Sequence, residues 1–143
     1  MTHCLESDRD VGEARRSWRG VVPLLQVGSI EDTLTYYAEV LGFSVDFVWP
    51  REGPAKWAAA SHGDVSFMFT MDLGESTRPF LAEKGNGVVF YIVTEDVEAL
   101  YDELCEQGAI IVQDLHQFGA RKQFSAADLN GYILAFSEPF DRN

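Results

Sequence analysis

The chain has few of the side chains that most chemistry relies on. Among 143 residues there are two cysteines and three histidines. Cys4 and Cys105 cannot build a disulfide framework, which fits a reducing cytoplasm. His3, His62 and His116 are scattered, in the expected tail, a turn and a loop, and offer no metal site. Basic residues are scarce: 11 Lys and Arg stand against 23 Asp and Glu, for a net charge of −12. That balance argues against nucleic acid, whose phosphates need Lys or Arg contacts, and leaves cations as the favoured ligands. No apolar run approaches the ~20 residues that span a bilayer. The first 19 residues are polar, with four arginines and no hydrophobic signal segment, and are expected to form a flexible tail. No GxSxG elbow and no phosphate-cradling glycine loop is present. Cys105 stands between Glu103 and Glu106, whose charges oppose a thiolate, so it reads as an incidental thiol.

What the chain does have is a repeat. Val22 to Val27 is followed by Ile30, Leu34, Tyr37 and Leu41 and closed by Gly42. Val89 to Thr94 is followed by Val97, Tyr101 and Leu104 and closed by Gly108. Val22 and Val89, Ile30 and Val97, Leu34 and Tyr101, and Tyr37 and Leu104 all stand 67 residues apart. Such a period is too long for a solenoid unit and too short for independent domains, which suggests one domain of two like halves that complete each other's sheet. A cavity between such halves is where function is expected.

Each half carries the same order of elements. Gly20 to Val27 reads as a strand, and Ser29, with Asp32 three residues on, caps a helix whose apolar positions 30, 34, 37 and 41 share a face. Phe43 to Trp49 alternates, with Val45, Phe47 and Trp49 expected on one side. After a Pro- and Gly-marked loop at 50–54, strands are expected at 55–61 and 65–71 around His62-Gly63-Asp64. Residues 74–86 read as the linker. The second half gives a strand at 88–94, a helix from about Asp96 to Gly108, strands at 110–113 and 121–126, a tight turn at Asp128-Leu129-Asn130-Gly131 and a last strand at 133–137. The expected organisation is a tail at 1–19, one domain at 20–138 with modules at about 20–73 and 87–138, and a C-terminal tail at 139–143.

Three stretches carry a family likeness: Val22 to Phe43 with Tyr36-Tyr37 and Leu41-Gly42-Phe43, Val89 to Gly108, and Asp128 to Phe136. In order and spacing they resemble the vicinal oxygen chelate superfamily of glyoxalases, bleomycin-resistance proteins and extradiol dioxygenases. The resemblance implies an α+β fold of two βαβββ modules in tandem, forming a curled mixed sheet around a cleft. Enzymes of that family hold a divalent metal through four strand positions. Here those positions fall on Val22, Ser66 or Met68, Val89 and Ala135. None is the imidazole, carboxylate or thiolate that such an ion takes, so neither a metal nor another cofactor is expected. The likeness is therefore to the bleomycin-resistance branch, whose members are dimers that sequester a bulky cationic, aromatic antibiotic.

On that reading the ligand is a cationic or aromatic small molecule and the protein is a cytoplasmic homodimer. The ligand wall would be Phe47, Trp49, Trp57 and Phe118, with His116 from the loop before Gly119 and Asp46 as a nearby carboxylate. Each ring offers stacking or cation–π contact of roughly 0.5–2 kcal/mol. Rings alternating on a strand suit a core or a dimer interface equally, and the sequence leaves both open. The rival reading is a metal-dependent glyoxalase-, dioxygenase- or isomerase-like enzyme with atypical ligands. A regulatory module that uses the cleft as a sensor is the third.

Overall fold

A computed structural model describes residues 17–71, 85 and 87–139. The expected tail up to residue 16, most of the expected linker, Cys4, His3 and residues 140–143 lie outside the described residues. Ten elements follow one another: β1 (Leu24–Val27), α1 (Ile30–Glu39), β2 (Ser44–Trp49), β3 (Trp57–His62), β4 (Val65–Met71), β5 (Val89–Val93), α2 (Val97–Glu106), β6 (Ile110–Phe118), β7 (Arg121–Ala127) and β8 (Ile133–Ser137). They form two βαβββ modules, and each module folds into its own four-stranded mixed sheet. The strand orders are β1-β4-β3-β2 and β5-β8-β7-β6, the same order twice. Neither sheet closes on itself.

The helices begin where the capping side chains allow. Ser29 Oγ accepts from the Asp32 amide at 3.1 Å, and Asp96 Oδ1 accepts from the Ala99 amide at 3.2 Å. Acidic residues Glu31, Asp32 and Glu98 occupy the first turns, where the helix dipole favours negative charge. Gly42 and Gly108 close the helical segments with φ of +80° and +87°, a conformation that a side chain resists.

Strand alternation decides which face of each sheet meets the helices. Leu25, Val27, Ala58, Ala60, Phe67 and Phe69 point to α1, and Phe90, Ile92, Phe124, Ala126, Leu134 and Phe136 to α2. These residues merge into a single core, joined across the modules by the Phe67–Phe90 ring pair at 5.1 Å. Buried polar bonds reinforce the junction. Tyr36 donates its hydroxyl to the Ala127 carbonyl and accepts from the Ile110 amide, each at 3.0 Å. Because the modules join through their helix-covered sides, the opposite face of each sheet carries the exposed apolar residues, although in the second sheet the central Gln123, Ser125, Ala135 and Ser137 of that face are themselves buried.

Two expectations need correction. The segment Leu115 to Phe118, read as a loop, is the last part of the nine-residue β6. Register shifts between Ile111 and Gln113 and between Gln113 and His116 absorb extra residues, so pairing with β7 continues although the alternation is broken. In β2 a shift between Val45 and Phe47 sets Val45 opposite buried Ala60 and Phe47 opposite Ala59. Phe47 and Trp49 keep a common face; Val45 falls out of the alternation, yet the bulge still leaves it beside Asp46 and Phe47 on the open side.

Candidate functional site: two open sheet faces

The first open face is built from β1, β4, β3 and β2. Leu24 lies beside Met68 in parallel register, and the Met68 amide donates to the Pro23 carbonyl at 2.8 Å, which carries the pairing past the end of β1 towards Val22. Val22, Ser66 and Met68 therefore meet in one hollow of about 580 Å³ with Val45, Asp46, Phe47, Trp57 and Ala59. Trp49 is the cross-strand partner of Trp57, and cross-strand partners project to the same side. Phe47 is 67% and Trp49 60% exposed, so both rings face solvent in the single chain.

The second open face carries Val89, Tyr91 and Val93 on β5, with Ala135 and Ser137 beside them on β8. Its floor is polar. Phe124 and Ala126 turn to the core, which leaves Gln123 and Ser125 on the opposite side of β7. The Tyr91 hydroxyl donates to Gln123 Oε1, and Arg121 Nη1 donates to Ser137 Oγ at 3.1 Å. His116 is the cross-strand partner of Gln123 and Phe118 of Arg121, so both belong to this second face. His116 Nδ1 lies 2.8 Å from the Asp114 carbonyl, an acceptor only, and must carry the proton there. Asp114 in turn accepts from the Tyr101 hydroxyl at 2.9 Å, a bond that holds the phenol proton and pushes its pKa up to about 12.

The sequence-derived residues thus divide. Asp46, Phe47, Trp49 and Trp57 share the first face; His116 and Phe118 sit on the second, on the other sheet. Within one chain the six are not one pocket. Tyr91, Gln123 and Arg121 are further polar groups of the second face that sequence reasoning missed. The signal was present in Gln123-Phe124-Ser125-Ala126, where polar and apolar residues alternate.

The four positions equivalent to metal ligands in related enzymes are also placed. Val22 with Ser66 and Met68 lies on the first face, and Val89 with Ala135 on the second. Their donors amount to one hydroxyl and one thioether, which do not fit a hard or borderline divalent ion. Among the described residues no three His, Cys, Asp or Glu side chains gather in a way that would hold a metal.

Comparison with known proteins agrees with this architecture. The family model of the Glyoxalase/Bleomycin resistance protein/Dioxygenase superfamily matches residues 21–136, and the chain belongs to that superfamily. Among solved structures, TioX from Micromonospora sp. ML1 superposes with a TM-score of 0.65 at 20% identity, covering 87% of this chain and 99% of its own. The bleomycin-binding protein of bleomycin-producing Streptomyces verticillus, solved with copper(II)-bleomycin, gives 0.65 at 18%, covering 87% and 98%. A superfamily member from Sphaerobacter thermophilus DSM 20745 gives 0.66 at 17%, covering 85% and 98%. At such identities these likenesses concern the fold alone. By sequence the chain matches no curated protein. Among the described residues no helix is long and apolar enough to cross a membrane.

Proposed function

We propose that this chain is a homodimeric, metal-independent binding protein that sequesters a cationic or aromatic small molecule in the cytoplasm. The observation that carries the proposal is the pair of open sheet faces, each bearing large apolar side chains that the chain itself does not cover. Val22, Leu24, Phe47 and Trp49 are exposed on the first, and Val89, Tyr91, Val93 and Phe118 on the second. Exposed apolar patches of this kind mark interaction surfaces. Pairing the first face of one copy with the second face of another would cover both and enclose a cleft with one aromatic and one polar wall. Phe47, Trp49 and Trp57 would then stand across from His116, Phe118, Tyr91 and Gln123. Trp18 and Val21, almost fully exposed just before β1, add further uncovered apolar surface.

Three ring contacts with apolar burial could supply roughly the 8 kcal/mol that micromolar affinity requires. The net charge of −12, with Asp46 at the hollow, favours arrival of a cation. The copper(II)-bleomycin complex of the Streptomyces relative makes that compound a natural first probe. Titration with copper(II)-bleomycin and with a cationic acridine, followed by tryptophan fluorescence, is expected to give saturable quenching that Trp57→Ala weakens at least tenfold. Affinities unchanged in both Trp49→Ala and Trp57→Ala would place any site elsewhere. A metal near one equivalent per purified chain, found by elemental mass spectrometry, would make an enzyme the better reading.

A further inference from the structure

The repeat is not symmetric at its two internal junctions. In the second module β7 and β8 are joined by five residues, Asp128 to Tyr132, whereas Gly63 and Asp64 alone join β3 to β4. The five-residue loop reaches into the first module and is held there. Asp128 Oδ2 accepts from Tyr37 at 2.8 Å, Asn130 Nδ2 donates to Thr33 Oγ1 at 3.0 Å, Asn130 Oδ1 accepts from the Gly28 amide at 3.1 Å, and Tyr132 donates to the Gln26 carbonyl at 2.9 Å. Advancing those four docking positions by the repeat of 67 gives Val93, Glu95, Leu100 and Leu104. All four line a cavity of about 310 Å³ beside the short turn, with His62, Asp64 and Val65 on its other side. The cavity is the groove that the long loop fills at the first junction and that the two-residue turn cannot reach at the second.

The substitutions within the repeat say what this groove accepts. Where the filled junction has the Thr33 and Tyr37 hydroxyls, the open one has Leu100 and Leu104, and Leu41, Phe43 and Phe136 extend the apolar floor; the bond at Gln26 uses a backbone carbonyl, which Val93 keeps. Hydrogen-bonding groups have been exchanged for hydrocarbon. At the rim the exchange runs the other way: the positions of Gly28 and Gly131 hold Glu95 and Asp64, both exposed carboxylates. His62 Nδ1 lies 2.8 Å from the Gly42 carbonyl and so donates its proton there, which leaves Nε2 of the neutral ring an acceptor. An apolar floor edged by the Asp64 and Glu95 carboxylates, with the Thr94 hydroxyl beside them, suits a protonated amine on a compact hydrocarbon or aromatic body. The volume matches the lower end of small-molecule sites, about 300 Å³.

We propose that this cavity, on the helix-covered side and separate from both open sheet faces, is a second binding site for a small organic cation. It does not depend on the function proposed above. The test is a titration with benzylammonium, neutral benzyl alcohol and benzoate, read by the NMR shifts of the Leu41, Val65, Ile92, Leu100 and Leu104 methyl groups. Benzylammonium is expected to shift these methyls saturably, benzyl alcohol about three- to tenfold more weakly, and benzoate not at all. The double variant Asp64→Asn, Glu95→Gln should remove the preference for the cation over the alcohol. Leu100→Trp, checked by thermal melting for retained folding, should abolish both, whereas Trp57→Ala should change neither. The proposal is overturned by the absence of any saturable shift, by benzoate binding as well as the amine, or by shifts confined to the open faces and indifferent to Leu100→Trp. It is equally overturned if the double variant, which alters only exposed rim residues, keeps the full cation preference.

Discussion

Asp128 is the residue on which the junction of the two modules turns. It is 2% exposed and accepts from the Tyr37 hydroxyl, from the Asn130 amide at 2.8 Å and from the Tyr132 amide at 3.0 Å. Burial pushes its carboxyl above the ordinary aspartate range even though these donors pull the other way. Burial and the neighbouring carboxylate likewise raise the Tyr37 phenol. The folded state therefore holds the Asp128 proton more tightly than the unfolded state does. The contribution of Asp128 to stability is fully present below the unfolded pKa, about 3.9, is lost as pH rises through the raised folded value, and then levels off. Asp128→Asn keeps an acceptor for both amides and removes that titration. In paired urea melts, the stability difference between variant and parent should shift towards the variant as pH rises through this window, and a constant difference would refute the assignment. Asp128→Ala strands the Tyr37 hydroxyl and two amides and should cost about 2–4 kcal/mol in the same melts.

At the scale of elements, the two helices are started by one side chain each, in separate modules. Ser29→Ala and Asp96→Ala should each lower stability by about 1 kcal/mol, and the double variant by about their sum, because the sites share no partner. Denaturant midpoints with an unchanged slope would confirm this; a sum exceeded by more than about 0.5 kcal/mol would mean that the modules are coupled through their helix starts. Glu31 has a further task, since its carboxylate accepts from the Ala55 amide at 3.0 Å and holds the segment before β3 against α1. That bond keeps the Glu31 carboxyl below its ordinary value. The helices and most strands were legible because their apolar spacing is regular and their ends carry Ser, Asp or Gly. β6 was not. Its two register shifts break the period on which such a reading depends, so the segment of His116 and Phe118 carries no strand signal in the sequence.

At the scale of the molecule, the open faces predict association. Light scattering should give twice the chain mass of 16.0 kDa, and Phe47→Asp, which puts a charge into the uncovered aromatic face, should shift the protein towards monomer. A chain that stays at 16.0 kDa at all accessible concentrations would remove the dimer from the proposal. Raising the salt from about 0.05 to 0.5 M should slow the arrival of a cationic ligand more than it speeds its departure, measured by stopped flow.

The doubled βαβββ pattern, its 67-residue period and the absence of ligand-type side chains at the positions equivalent to metal ligands are all readable from the order of residues. These follow from residue type and spacing, which are local properties. How the candidate site divides follows from the folded chain alone. Sharing of a hollow by Asp46, Phe47 and Trp57, and the placing of His116 and Phe118 on another sheet, depend on strand pairing and register, and which faces stay uncovered depends on how the modules pack. That choice is made by the merged core and by contacts such as Tyr37 with Asp128, 91 residues apart. The cavity beside Gly63-Asp64 belongs to the same level: it exists because one loop is three residues shorter than its counterpart, and its place shows only when the modules are docked.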